Sequence, residues 1–156
     1  MSILGLLFSL FNSYISYPGD VVVRFDALNR PLQTLDREII FYISVAIFLI
    51  SNTLINALKR LFPKVPTAKL PLSPQNPWLA HRDQLNELVV NWFYALMAAI
   101  NTVLGLGLIV LSLLNRSDRS IQAVDYAWLA PLSTVIIISV LAALPIRLFM
   151  KPDSDA

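Results

Sequence analysis

The longest apolar pattern in the chain runs from Leu88 to Leu114, 27 residues without one charge. As a helix it measures about 40 Å at ~1.5 Å per residue, more than the ~30 Å hydrocarbon layer of a bilayer. A soluble core helix has no use for such a run, so the pattern predicts a transmembrane helix. Two shorter uncharged runs flank it, Ile39 to Leu58, closed by Lys59 and Arg60, and Tyr126 to Ile146, followed by Arg147. Each is long enough to span.

The first residues follow a different pattern. Between Ser2 and Tyr17, the small and polar positions Ser2, Gly5, Ser9, Asn12, Ser13 and Ser16 fall on one helical face, with Leu4, Leu7, Phe8, Phe11 and Ile15 on the other. About 24 Å of helix is too short to span comfortably, and an amphipathic helix in the plane of the membrane is expected. No Lys or Arg precedes the apolar part and no A-x-A-like site follows, which disfavours a secretory signal. Pro18-Gly19-Asp20 ends this helix. Val21 to Phe25 is β-branched, but a lone strand has no sheet to join, so an extended segment is expected. Thr34 is placed to cap the first span, with Asp36 in its first turn.

The predicted fold class is therefore an all-α integral membrane protein, three transmembrane helices plus an N-terminal in-plane amphipathic helix, forming one membrane domain over residues 1–156. Its segments are an interfacial helix at 2–17, an extracytoplasmic connection at 18–37, a first span within 38–62, a proline-rich basic loop at 63–80, a second span within 81–114, a short loop at 115–125, a third span within 126–148 and a tail at 149–156. Prolines at 63, 66, 71, 74 and 77 predict an extended, polyproline-like loop.

Composition agrees with a bilayer protein. Hydrophobic residues make up 56% of the chain and charged residues 14%, against ~25% charged in soluble domains. Mean hydropathy is +0.65. A net charge of +2, with no basic run, leaves no basis for binding nucleic acid. The absence of cysteine removes disulfide and thiolate chemistry.

Charge also orients the chain. Lys59, Arg60, Lys64, Lys69 and Arg82 in the first loop, with Arg147 and Lys151 after the third span, outnumber Arg24, Arg30, Arg37, Arg116 and Arg119 across the membrane. The bias puts the proline-rich loop and the C-terminus in the cytoplasm, the N-terminus outside, and the protein in a cell inner membrane.

Chemistry has few places to sit. No span contains Asp, Glu, Lys, Arg or His, which argues against a self-sufficient proton or ion machine. The one histidine, His81, does not converge with Asp83 and Glu87 on a helix face, so no metal site is expected. No nucleophile–base pair or phosphate-cradling loop is present, so neither catalysis nor a cofactor is expected. The intramembrane amides weigh more. Asn52 and Asn56 share a face of the first span, and Asn91, Ala95, Ala98, Thr102 and Gly105 form a stripe of small and polar residues on the second, with Asn101 beside it. An amide in hydrocarbon needs a partner, so these residues are expected at helix-packing or subunit interfaces. Lys59, Arg60, Lys64, Trp78, Arg82 and Trp128 are expected at the membrane surface.

These features point to a non-catalytic accessory or scaffolding subunit in a larger membrane complex, its partners being the lipid bilayer and other membrane subunits. The alternatives are a self-assembling pore, such as a holin-like homo-oligomer, and a transport component that needs an energised partner.

Overall fold

The computed structural model describes residues 3–152 except 27, 29 and 116–122. Most of the short loop expected at 115–125 and the acidic tail at 153–156 lie outside the described residues. Helix α1 covers Ile3–Ser16, strands β1 and β2 cover Asp20–Phe25 and Pro31–Asp36, and α2 covers Arg37–Leu61. Then come α3 at Arg82–Leu114 and α4 at Leu129–Phe149. Helices α2, α3 and α4 are long and apolar enough to cross a membrane, and α1 is a shorter apolar helix.

Helix α3 is the axis of the bundle. With 33 residues it is about 50 Å long at ~1.5 Å per residue, and α1, α2 and α4 each pack on it. One core lies around Leu108, where Leu6 and Leu10 of α1, Tyr17, Val21 of β1 and Ile40 of α2 meet. A second lies at the other end, around Trp78, Leu85 and Val89, closed by Leu144 and Leu148 of α4.

The serine face of α1 does not meet solvent as a whole. Ser9 and Ser13 are buried, while Leu4, Phe8, Phe11 and Ile15 are exposed. Ser13 Oγ and Tyr17 Oη both donate to the Leu108 carbonyl, at 3.3 and 3.0 Å. Two donors one turn apart thus converge on a single acceptor of α3. Burial pushes the Tyr17 phenol up to about 12, against the opposing hydrogen bond with Ser13.

The chain is not all-α. Val21 to Phe25 has a partner: β1 pairs antiparallel with β2, Val21 opposite Leu35 and Val22 opposite Thr34, with irregular register around Arg24. Thr34 therefore lies in a strand, not at a helix start. The cap of α2 is Asp36, whose carboxylate accepts from Glu38 N at 2.8 Å. At the turn, Asp26 Oδ1 accepts from the backbone N–H of Leu28 and of Arg30. A two-stranded hairpin is marginal alone, and here α3 steadies it. Asn115, the residue after α3, accepts from Val22 N at 2.7 Å and donates to Val22 O at 3.0 Å. Its carboxamide stands where a third strand's peptide would.

The proline-rich loop is not an extended polyproline segment. It folds into short 3₁₀ turns at Phe62–Lys64, Thr67–Lys69 and Pro77–Leu79. Proline is compatible with these because it sits in a first turn, where its missing N–H has no partner to lose. After α3, a further 3₁₀ turn at Ala123–Tyr126 leads into α4, which begins at Leu129 and runs through Pro145 without ending.

Two outcomes follow. Asn115→Ala removes both bonds to Val22, and thermal unfolding in detergent should show a loss of ~1–3 kcal/mol, the usual cost of leaving shielded backbone groups unpaired. For Tyr17, the fold binds the phenolic proton more tightly than the unfolded chain, whose phenol titrates at 10.0. Its contribution is complete below pH 10.0 and is lost as pH rises through about 12. Alkaline unfolding monitored with tyrosinate absorbance should lose this component in Tyr17→Phe.

Candidate functional site

The polar centre of the bundle is a pair of carboxamides. Asn101 is the midpoint of the 27-residue uncharged run of α3 and is 2% exposed. Asn52 faces it from α2. Asn52 Nδ2 donates to Asn101 Oδ1 at 2.9 Å, and Asn101 Nδ2 donates back to Asn52 Oδ1 at 3.1 Å. The second hydrogen on Asn52 Nδ2 reaches the Phe48 carbonyl at 2.8 Å. Each amide satisfies the other because both carry one donor group and one acceptor. In hydrocarbon the alternative is an unsatisfied group costing several kcal/mol.

A polar ladder continues along α2. Asn56 Nδ2 donates to the Asn52 carbonyl at 2.9 Å, with Met97 Sδ of α3 at 3.8 Å. Asn56 Oδ1 accepts from Lys59 Nζ at 2.9 Å, and the same ammonium lies 4.0 Å from the Tyr94 ring centroid. On the outer side of this ladder, Asn52, Thr53, Asn56, Ala57 and Arg60 line a hollow of about 410 Å³. All five belong to α2, and among the described residues no second helix lines it.

The stripe on α3 divides along its length. Gly105 is buried, and Ala98 and Thr102 are half-buried. Thr102 Oγ1 donates to the Ala98 carbonyl of its own helix. Asn91 and Ala95 are exposed and face a groove between α3 and α4, whose volume is about 400 Å³. Leu88, Trp92, Ala143 and Leu144 give that groove apolar walls. Trp92 Nε1 ties the two helices together by donating to the Val140 carbonyl at 2.6 Å. A Cβ at Gly107 meets no atom within 4 Å, so this glycine does not serve close helix approach.

Two of the residues expected at the membrane surface make contacts within the chain. Trp78 is 2% exposed, donates from Nε1 to the Met150 carbonyl at 2.8 Å, and has the Arg147 guanidinium 5.2 Å from its ring. A tryptophan among prolines reads as an interface anchor, yet here it pins the loop to the end of α4. Arg82 is half-buried. Its Nη2 donates to the carbonyls of Phe62 and Val65, and its guanidinium covers the Phe62 ring at 5.0 Å. It thereby fastens the 3₁₀ turn that follows α2. Arg82 Nη1 and Asn86 Oδ1, one helical turn apart, are buried without a partner. Lys59 is half-buried, whereas Arg60, Lys64 and Trp128 are exposed.

Among the described residues, no three His, Asp or Glu side chains lie close enough to hold a metal ion. No protein-family model matches the chain, and comparison with curated proteins and with solved structures finds no similar protein.

The amide pair makes a sharp test. Asn52→Leu or Asn101→Leu alone strands the other carboxamide and should cost ~1–3 kcal/mol. The double variant Asn52→Leu/Asn101→Leu should recover part of that loss. Unfolding in detergent across the four proteins should yield a coupling of roughly 0.6–2 kcal/mol. Additive losses would show that the pair does not act as a unit.

Proposed function

We propose that this protein is an integral membrane subunit in which α2, α3 and α4 cross the bilayer and α1 lies against α3 with its apolar side toward lipid. Its role is non-catalytic: it packs into, and organises, a larger membrane complex. The observation that carries this reading is the polar hollow on α2. Thr53 and Arg60 are exposed there, beside Asn52 and Asn56, on the outer face of a helix long enough to span. Hydrocarbon is a poor neighbour for that surface, whereas a polar face on another membrane helix satisfies it.

Charge supports the orientation with the loop inward, in a cell inner membrane. Among the described residues, Lys59, Arg60, Lys64, Lys69, Arg82, Arg147 and Lys151 face only Asp83 and Glu87 at the loop end. At the hairpin end, Arg24, Arg30 and Arg37 are offset by Asp20, Asp26, Asp36 and Glu38. A basic end on the cytoplasmic side follows the positive-inside bias.

The same hollow supports a second reading, a self-assembled pore of holin-like type, in which copies of the chain line a polar path with the α2 ladder. Native mass measurement on the tagged protein, gently extracted from its own membrane, separates the two. The subunit reading expects different chains at a fixed ratio, released by Thr53→Phe or Ala57→Phe, which fill the hollow. Copies of this chain alone, together with dye leakage from liposomes, would favour the pore and overturn the subunit reading.

A further inference from the structure

The groove between α3 and α4 has a different character from the hollow on α2. Its walls are mostly apolar, running from Leu88 to Ala95 on one side and from Ser139 to Arg147 on the other. The α3 side covers about 10 Å at ~1.5 Å per residue. Small side chains at Ala95 and Ala143 keep it open, and the Trp92–Val140 bond joins its two sides. Ser139 places one hydroxyl toward the far end and Asn91 a carboxamide midway, but the charged group stands at one end only. Arg147 stands near the C-terminus of α4, held by Trp78 at 5.2 Å and by the Lys151 carbonyl, which accepts from its Nη1 at 3.2 Å. Asn91 contributes an exposed carboxamide on the opposite wall.

This end is also the basic end of the molecule, where the 62–80 loop packs over α3 and α4. A mostly apolar slot that covers about two-thirds of a ~15 Å leaflet, ending in a guanidinium at the depth where a spanning helix leaves hydrocarbon, is complementary to one kind of neighbour. We infer that the groove binds an anionic phospholipid of the surrounding bilayer, one acyl chain lying along Ala95 and Ala143 and the phosphate held by Arg147 and Asn91. Basic pockets between membrane helices on the cytoplasmic side hold anionic headgroups on the same physical grounds. The cation is fixed by packing rather than left to wander, so the phosphate meets a preorganised donor. Glu87 lies one turn before Asn91, which favours a headgroup whose charge is confined to the phosphate near Arg147. The inference rests on the proposal that α3 and α4 cross a bilayer, and is independent of which subunit covers α2.

The test uses the full chain in bilayers, with bromine on the acyl chains as a contact quencher of indole fluorescence. Trp128 is 52% exposed at the far end of α4, whereas Trp78 is 2% exposed. In Trp128→Phe, the quenchable indole is therefore Trp92. Brominated phosphatidylglycerol, as a minor component in phosphatidylcholine, should quench it about fivefold more effectively than the same fraction of brominated phosphatidylcholine. Arg147→Gln should bring the two lipids to parity, and Arg147→Lys, which keeps the charge, should retain the preference. Ala143→Leu should abolish quenching by either lipid. Equal quenching in the parent, or quenching indifferent to Ala143→Leu, overturns the site. In the protein with Trp128 intact, quenching of that indole without Trp92 overturns the site alone. Quenching of neither indole overturns the bilayer reading, and the site with it.

Discussion

Two carboxamides at the middle of an apolar bundle can satisfy one another only if their helices stand at one height and one rotation. The reciprocal bonds between Asn52 and Asn101 impose that condition on α2 and α3. A slide of one residue is ~1.5 Å along the axis and ~100° around it, enough to break both bonds and leave two amides unpaired. Leucine-on-leucine packing tolerates such slides, because every register buries similar surface. The amide pair supplies the discrimination that apolar packing lacks, as a single buried polar residue does in a coiled coil.

With that register set, the ends of the molecule fall into place by different means. At one end, α1 and the hairpin hang on carbonyl and amide groups of α3, through Leu108 and Asn115. At the other, Arg82 fastens the turn after α2 while Trp78 and Arg147 close α4. Both sets use polar contacts, most of them to backbone groups, which fix a position more closely than apolar packing does. Helix α4 illustrates the point: none of its residues is buried, and it is held at its loop end by Leu144 and Leu148 and along its length by the Trp92 bond.

The long helices were legible because an uncharged run of twenty residues or more has few other meanings, and the amides stood out because hydrocarbon makes them costly. The partners of those amides were not legible: nothing in the spacing of Asn52 says that Asn101 rather than Asn91 faces it. The hairpin escaped because Pro31-Leu32-Gln33-Thr34-Leu35 carries a weak alternation and a proline, and because its stabilising third member is a side chain at residue 115, far away in sequence. Trp78 is ambiguous in sequence for a chemical reason. An indole suits both a lipid headgroup region and a protein pocket with one carbonyl to bond, and the choice depends on where Met150 comes to rest. The α3 stripe looked continuous, yet only its second half meets helices of the same chain, since α4 leaves a groove open beside Asn91 and Ala95.

The contacts of Ser13 and Tyr17 with the Leu108 carbonyl join positions 95 and 91 residues apart. On a ribosome adding ~5–20 residues per second, the acceptor is made about 5–20 s after the donors. Throughout that interval the serines of α1 and the Val22 backbone groups have no docking face, although the apolar helix itself is complete. The N-terminal quarter of this protein is therefore synthesised first and assembled late. Its final position must await the synthesis of a helix that is encoded two-thirds of the way down the chain.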